Sequence, residues 1–303
     1  MKNNLSPNLI VIGASKCGTT ALYNYLLRHP DIFVPVKKEL HFHSHQELMK
    51  RTAGPGDRFI AAQTCSNAAQ YESYYAGSEE KKVRVDVSPS YLFFPQSIDS
   101  IIQCCGDDVK IVCLVKHPVD KIISQYSHLL SAGREDLPFK KALEEEHARY
   151  AKGYGDMWLF RRSGFMSENL EIFKNKFPNM LILHQDELRD NLTNTLSTIF
   201  NFAGVNMPEN FDLSPLEKNF SGVPKSLLIS KIFIRPNYFN HFLRKIISPK
   251  IGGKVREWIN NNNKKGKFSL PDADFKELEL EYGPEIERLN KLINGTLKIK
   301  YRF

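Results

Sequence analysis

Three short segments carry groups that could do chemistry: two suited to holding anions, and one with a carboxylate set among cations. Gly13-Ala-Ser-Lys-Cys-Gly-Thr-Thr20 follows the apolar run Asn8-Leu-Ile-Val-Ile-Gly13. A glycine-rich turn between a buried strand and a helix gathers free backbone N–H groups and the positive helix end on one point, which makes an anion site. The placement of Gly13, Gly18 and Thr20 has the spacing of a nucleotide phosphate loop. One position departs from that pattern. Thr19 stands where a lysine would reach the β- and γ-phosphates, and the lysine lies upstream as Lys16. A lysine midway in the loop sits beside the 5′ group of a shorter ligand, with no triphosphate to grip and no metal to hold. In the second segment, Lys116-His-Pro-Val-Asp-Lys-Ile-Ile-Ser-Gln-Tyr126, Lys116 and Ser124 can converge on one phosphate. The third, Val36-Lys-Lys-Glu-Leu-His-Phe-His-Ser-His45, places Glu39 beside Lys38 and alternates His41, His43 and His45. On an extended strand those imidazoles would share one face, as a metal site requires; the alternative is that they shape a loop.

These residues need strand ends and helix starts to hold them. Leu9 to Gly13 reads as a strand, and Ala21 to Arg28, with Leu22, Tyr25 and Leu26 at helical spacing, as a helix stopped by His29-Pro30. Arg84 to Val87, Val109 to Val115 and Met180 to Leu183 read as further strands. Helices are expected after His117-Pro118, from Glu168 to Lys176, and from Leu192 to Phe202 with Gly204 at its C-terminal stop. Strands alternating with helices predict a parallel β-sheet flanked by helices, an α/β fold of the phosphate-loop type. From Phe211 the rhythm is lost, and a single amphipathic helix is expected from Ser269 through Leu292 as a helical C-terminal cap. No internal repeat or linker stands out, so residues 1–303 read as a single domain, with a basic extension over 226–303.

The chain has 303 residues, 42% hydrophobic and 25% charged, which excludes disorder, collagen and a small disulfide scaffold for the whole. Its 42 Lys+Arg against 34 Asp+Glu leave a net charge of +8, suited to nucleic acid, an anionic surface or an anionic small molecule. The cations are scattered apart from short clusters such as Lys264, Lys265 and Lys267, which argues against nucleic acid. Five cysteines, an odd number, suit reduced thiols, and the adjacent Cys104 and Cys105 suit neither a mutual bridge nor a zinc knuckle. Leu9 to Ile12 is too short for a signal peptide or membrane span, and no longer apolar stretch appears, so a cytoplasmic protein is expected.

The loop Lys16-Cys-Gly-Thr-Thr20 resembles the 5′-phosphosulfate loop of the PAPS-dependent sulfotransferase family, Lys-(Ser/Cys)-Gly-Thr-Thr after a strand. The Lys116 to Tyr126 segment resembles that family's 3′-phosphate motif, with Lys116 where arginine is usual, a change that keeps the charge and loses the bidentate fork. Lys38-Glu-Leu-His-Phe-His43 is similar to the Lys-Glu-Pro-His-Phe-Phe segment of members acting on glycans, heparan sulfate enzymes among them, with Leu40 in place of proline. Asp86-Val-Ser-Pro-Ser-Tyr91 is similar to the strand end bordering the acceptor cleft, with Val87 where some members carry lysine. The likeness runs from about Leu9 to Lys225 and is nearest to bacterial and heparan-sulfate-type carbohydrate sulfotransferases.

The resemblance implies that Lys16, Cys17, Gly18, Thr19 and Thr20 bind the 5′-phosphosulfate of PAPS and that Lys116 and Ser124 bind its 3′-phosphate. Lys225, in the loop Asn219 to Ser226, is a further cofactor contact. It makes Glu39 the general base, with Lys38, His41 and Lys16 about the transferring group, and Asp86, Ser88 and Tyr91 the border of the acceptor site, Asp86 as contact or orienting carboxylate. The implied reaction moves a sulfuryl group to a hydroxyl of a glycan or glycolipid, with no metal required. Two alternatives stand beside it: a phosphate-loop kinase or NTPase, and a non-catalytic anion- or glycan-binding protein on the same fold.

Overall fold

The computed structural model describes residues 5–214, 223–234, 262–266 and 268–297. In chain order its elements begin with β1 (Leu9–Gly13), α1 (Thr19–Leu26), β2 (Ile32–Phe33), α2 (His45–Met49), α3 (Asp57–Ala61) and α4 (Ala68–Ser73). They continue with β3 (Val83–Val87), α5 (Ser90–Phe93), α6 (Ser97–Cys105), β4 (Lys110–Val115) and α7 (Pro118–Ser131). Then come α8 (Phe139–Glu144), α9 (Glu146–Ala151), α10 (Phe160–Gly164), α11 (Ser167–Lys176), β5 (Met180–His184), α12 (Glu187–Asp190) and α13 (Leu192–Ala203). The five strands form one parallel sheet in the order β2-β3-β1-β4-β5. Leu9 lies opposite both Val85 and Lys110, so β1 is central. Every residue of β1 is buried, as a strand covered on both faces requires.

Strand order places the ends of β3, β1 and β4 side by side with β2 at the edge next to β3, and the three segments with distinctive chemistry follow β1, β4 and β2. Open parallel sheets bind ligands outside such strand ends. Four strands stand where the apolar runs predict them. The fifth, β2, has only two residues at the sheet edge and leaves no periodic trace.

One core cluster joins the sheet to flanking helices through residues such as Leu22, Val112, Phe173 and Phe200. A second gathers Ile122, Tyr126, Phe139 and Trp158 with Phe275, Leu278 and Tyr282 of the C-terminal segment. That segment is two helices, Asp272–Glu281 and Gly283–Leu292, instead of the single one expected. Pro284, in the first turn of the second helix, has no N–H to continue the first. The cap is also fastened by a buried carboxylate: Glu285 accepts the N–H groups of Met166 and Ser167 at 2.7 and 2.8 Å and the Ser167 hydroxyl at 2.6 Å. Glu285 therefore satisfies the start of α11, where helix N–H groups lack partners of their own. Residues 219–222 of the loop before Lys225, and 235–261, 267 and 298–303 of the basic extension, lie outside the described residues.

Candidate active site

The loop after β1 closes on itself and on the neighbouring strand. The N–H of Ala14 donates to the Leu114 carbonyl of β4 at 2.7 Å, and the N–H of Cys17 donates to the Ala14 carbonyl at 3.1 Å. Gly18 then caps α1 in the left-handed region, φ 92°, where a Cβ would stand 2.9 Å from Gln185 Cγ. Thr19 is buried and Thr20 exposed, while Cys17 is sealed, its thiol pushed up by burial against the pull of nearby lysines. Lys16 is half-buried and its ammonium is lowered to about 8, by burial first and then by Lys116. Glu39 and Lys38 act on the same ammonium. The structure thus brings together cations and a carboxylate that are distant in sequence.

Lys116 directly follows β4 and is 6% exposed. Ser124 is partly accessible on α7, which begins at Pro118, the first-turn position proline tolerates. One turn before Ser124 is Lys121, a buried cation that sequence reasoning left unassigned. Its Nζ donates to Gln125 Oε1 at 3.1 Å, and burial lowers it to about 8. One turn beyond Ser124 is His128, also unassigned, lowered to about 3 by burial and then by the charge of Lys16. The helical spacing of 121, 124 and 128 along the motif was the available signal for both. Lys225 is exposed on a short ribbon, Val223–Pro224 with Lys264–Gly266, that packs against α7.

Glu39 lies after β2, its carboxylate paired with Lys38 Nζ and 3.6 Å from His41 Nε2. Burial works upward on this carboxyl, but the hydrogen bond to His41 and the Lys38 ammonium outweigh it and hold the group well below the usual carboxylate range. Its side chain is 41% exposed, so it faces the cleft. His41 is fixed from behind: its N–H donates to Ser88 Oγ at 3.0 Å and its Nδ1 lies 2.6 Å from Ser90 Oγ. Ser90 in turn meets Ser44 Oγ at 2.6 Å. Among the described residues only four non-glycines have positive φ, and three of them are Lys16, Glu39 and His41, at 67°, 61° and 52°. Strained backbone of this kind persists where surroundings over-determine it and clusters at functional sites.

The extended-strand reading of the three histidines does not hold. His41 to His45 turns through a single 3₁₀ stretch, Phe42–Ser44, into α2. Each ring meets a different hydroxyl: His41 that of Ser90, His43 that of Ser100, and His45 that of Thr64.

Asp86, Ser88 and Tyr91 are 1%, 0% and 0% exposed, so the expected border of the acceptor site is corrected to a layer behind it. Asp86 accepts from Ser88 Oγ, Tyr91 OH and Tyr71 OH at 2.6, 2.7 and 2.8 Å. Both oxygens of Asp86 are thus engaged by buried hydroxyls, and burial raises its carboxyl. Ser88 links it to His41, whose backbone N–H donates to the same hydroxyl. Tyr71, which the sequence did not single out, completes the set. A cleft of about 340 Å³ opens beside the loop, lined by Ala14, Ser15, Pro89, Lys121, Gln125 and Asp156 among others. A smaller one, about 150 Å³, includes Lys38 and Glu39.

A glycine-containing loop after the central parallel strand, with cations from the neighbouring strand end and a carboxylate near them, sits at the strand ends of an α/β fold, where open parallel sheets bind ligands. Residues 7–209 match the sulfotransferase family, and the chain belongs to that family. It is 26% identical over 201 residues to mouse heparan sulfate glucosamine 3-O-sulfotransferase 3A1, covering 66% of this chain and 46% of the relative. It is 30% identical over 121 residues to the membrane-associated sulfotransferase kil1 of Dictyostelium discoideum, 40% of this chain and 22% of that one. The chain spans about half the length, or less, of these curated relatives. Its fold is that of the sulfotransferase from Alicyclobacillus acidocaldarius, with a TM-score of 0.73 and 24% identity over 96% of this chain and 97% of that one. A mouse sulfotransferase, SULT7A1, complexed with PAP shares it at a TM-score of 0.50 and 14% identity, over 94% and 87%. Family membership removes the kinase or NTPase alternative.

Proposed function

We propose that this chain moves the sulfuryl group of PAPS to a hydroxyl of a carbohydrate acceptor, a glycan or glycolipid, with release of 3′,5′-ADP. The observation that carries the reading is the convergence of Lys116, Glu39 and Lys38 on the Lys16 ammonium, gathered from the ends of β1 and β4 and the segment after β2. Lys16 and the loop Cys17 to Thr20 hold the 5′-phosphosulfate. Lys116 and Ser124 hold the 3′-phosphate, and Lys225 approaches from the ribbon on α7. The relatives named for heparan sulfate glucosamine support a sugar hydroxyl as acceptor. The five thiols, none in a disulfide, fit a reducing compartment such as the cytoplasm.

Transfer follows one in-line displacement. The acceptor oxygen bonds to sulfur as the bond from sulfur to the bridging phosphate oxygen breaks, and the hydroxyl proton passes to Glu39. Lys16 offsets charge growing on the bridging oxygen, which is electrostatic stabilisation in a partly dry site. Lys38 leaves Glu39 for the sulfuryl oxygens, freeing the carboxylate to act as base. Positive charge from these lysines does the work a cation does in phosphoryl transfer, so the transfer step needs no metal.

Thermal shift with 3′,5′-ADP against Mg-ATP, followed by incubation with radiolabelled PAPS and heparan-type glycans, tests the reading. Stabilisation by 3′,5′-ADP and label on the glycan are expected. Stabilisation by Mg-ATP alone overturns it, and 3′,5′-ADP binding without transfer to any acceptor leaves a non-catalytic binding protein.

A further inference from the structure

His43, which the transfer reaction does not use, faces the two adjacent cysteines. Helix α6 carries Ser100 and Cys104 one turn apart on one face and ends at Cys105. Ser100 Oγ lies 2.8 Å from His43 Nδ1, while His43 Nε2 is buried with no hydrogen-bond partner in a residue only 7% exposed. A ring nitrogen of His43 and the sulfurs of Cys104 and Cys105 all lie within 4.8 Å of one another. The rings of Phe42, Tyr71 and Tyr91 enclose His43 at centroid distances of 4.9, 5.2 and 5.3 Å.

We propose that His43, Cys104 and Cys105 form a binding site for one zinc ion: the adjacent cysteines make no zinc knuckle by themselves, and the fold adds the distant imidazole. Thiolate and imidazole ligands suit zinc, and three protein ligands with a fourth position open to water is a recognised zinc arrangement. A hydroxyl already holds the ring nitrogen that the ion would not use. In the tautomer that gives its Nδ1–H to Ser100 Oγ, the imidazole presents a lone pair at Nε2, as metal-bound histidines do when the other nitrogen is held. Charge favours a divalent ion, because two thiolates and a neutral imidazole cancel it, and a neutral assembly is tolerable beside a buried aromatic cluster. Cys105 is sealed while Cys104 is partly accessible, which leaves the entry path and the water position on its side. Sulfurs bound tetrahedrally at about 2.3 Å stand roughly 3.8 Å apart, so atoms lying within 4.8 Å of one another need close by no more than about 1 Å. Binding releases the two thiol protons to solvent and changes no oxidation state.

The ion would anchor the segment that carries Glu39 and His41 without touching the reacting groups, and this inference stands whether or not the transfer reading does. The test uses the full chain, stripped with a chelator under reducing conditions and titrated with zinc alone. One zinc per chain is expected, with loss of two thiols reactive to a disulfide reagent and, on cobalt substitution, a thiolate-to-cobalt absorption band. Cys104→Ser, at the half-exposed position, and His43→Gln should each weaken zinc binding by at least ~10-fold. No zinc uptake, uptake without thiol protection, or unchanged affinity in a folded Cys104→Ser protein overturns the proposal.

Discussion

In the free protein the Glu39 carboxylate is shared between the Lys38 ammonium and the His41 imidazole, and both favour its charged form. A group held that acidic accepts a hydroxyl proton only once those neighbours turn to other partners. On the proposed mechanism, Glu39→Gln should lower turnover about 10²–10⁴-fold and leave 3′,5′-ADP affinity nearly intact, read by steady-state kinetics and calorimetry. Lys16 raises the converse question, because burial and Lys116 bring its ammonium to about 8, within reach of ordinary assay conditions. Loss of its proton removes a cation that anion binding needs. The specificity constant kcat/KM for PAPS should therefore fall as pH rises through about 8, and kcat should fall later, since a bound anion favours the charged form. Lys16→Arg, which keeps its charge at any such pH, should abolish that alkaline limb while slowing the reaction. A limb unchanged in Lys16→Arg would assign the titration elsewhere, Lys121 being the other lysine near 8 among the described residues.

Among the elements, β1, β3, β4 and β5 were legible because buried parallel strands are written as apolar runs, and the loop and motif glycines and prolines marked their ends. The two-residue β2 was not, since two residues carry no period. The 41–45 segment misled for a related reason: His41, His43 and His45 alternate, but nothing apolar alternates with them to require a strand, and left-handed His41 starts a turn. The Glu39–His41 pair could be named from motifs alone. Their supports, Ser90, Ser44 and Tyr71, could not, because those contacts join segments brought together only by strand pairing. Backbone conformation sets its own test. Glu39 at φ 61° occupies a region costly for any residue with a Cβ, so Glu39→Gly should be more stable than Glu39→Ala by about 1 kcal/mol in denaturant titrations, with both inactive. Equal stabilities would mean that the surrounding contacts already absorb the strain.

At the scale of the molecule, the C-terminal helices are joined to the α/β layer by specific groups as well as by apolar surface. Gly164 lies so near Tyr282 that a Cβ there would stand 2.7 Å from the ring, and Tyr282 OH donates to the Arg161 carbonyl at 2.8 Å. Glu285 is 4% exposed and answers three donors at the head of α11. Glu285→Ala leaves buried N–H groups unsatisfied and should lower unfolding free energy by about 1–3 kcal/mol, with hydrogen exchange rising at Met166 and Ser167. A Glu285→Gln protein keeps one acceptor and should fall between the two.

That carboxylate separates two boundaries that would otherwise be taken as one. The span recognisable by descent ends at residue 209, yet the helix bordering the cleft beside the phosphate loop is completed from residue 285. Cutting the gene at that edge would keep the loop after β1 and the Lys116 segment, lose Lys225, and leave an unfinished helix beside the cleft.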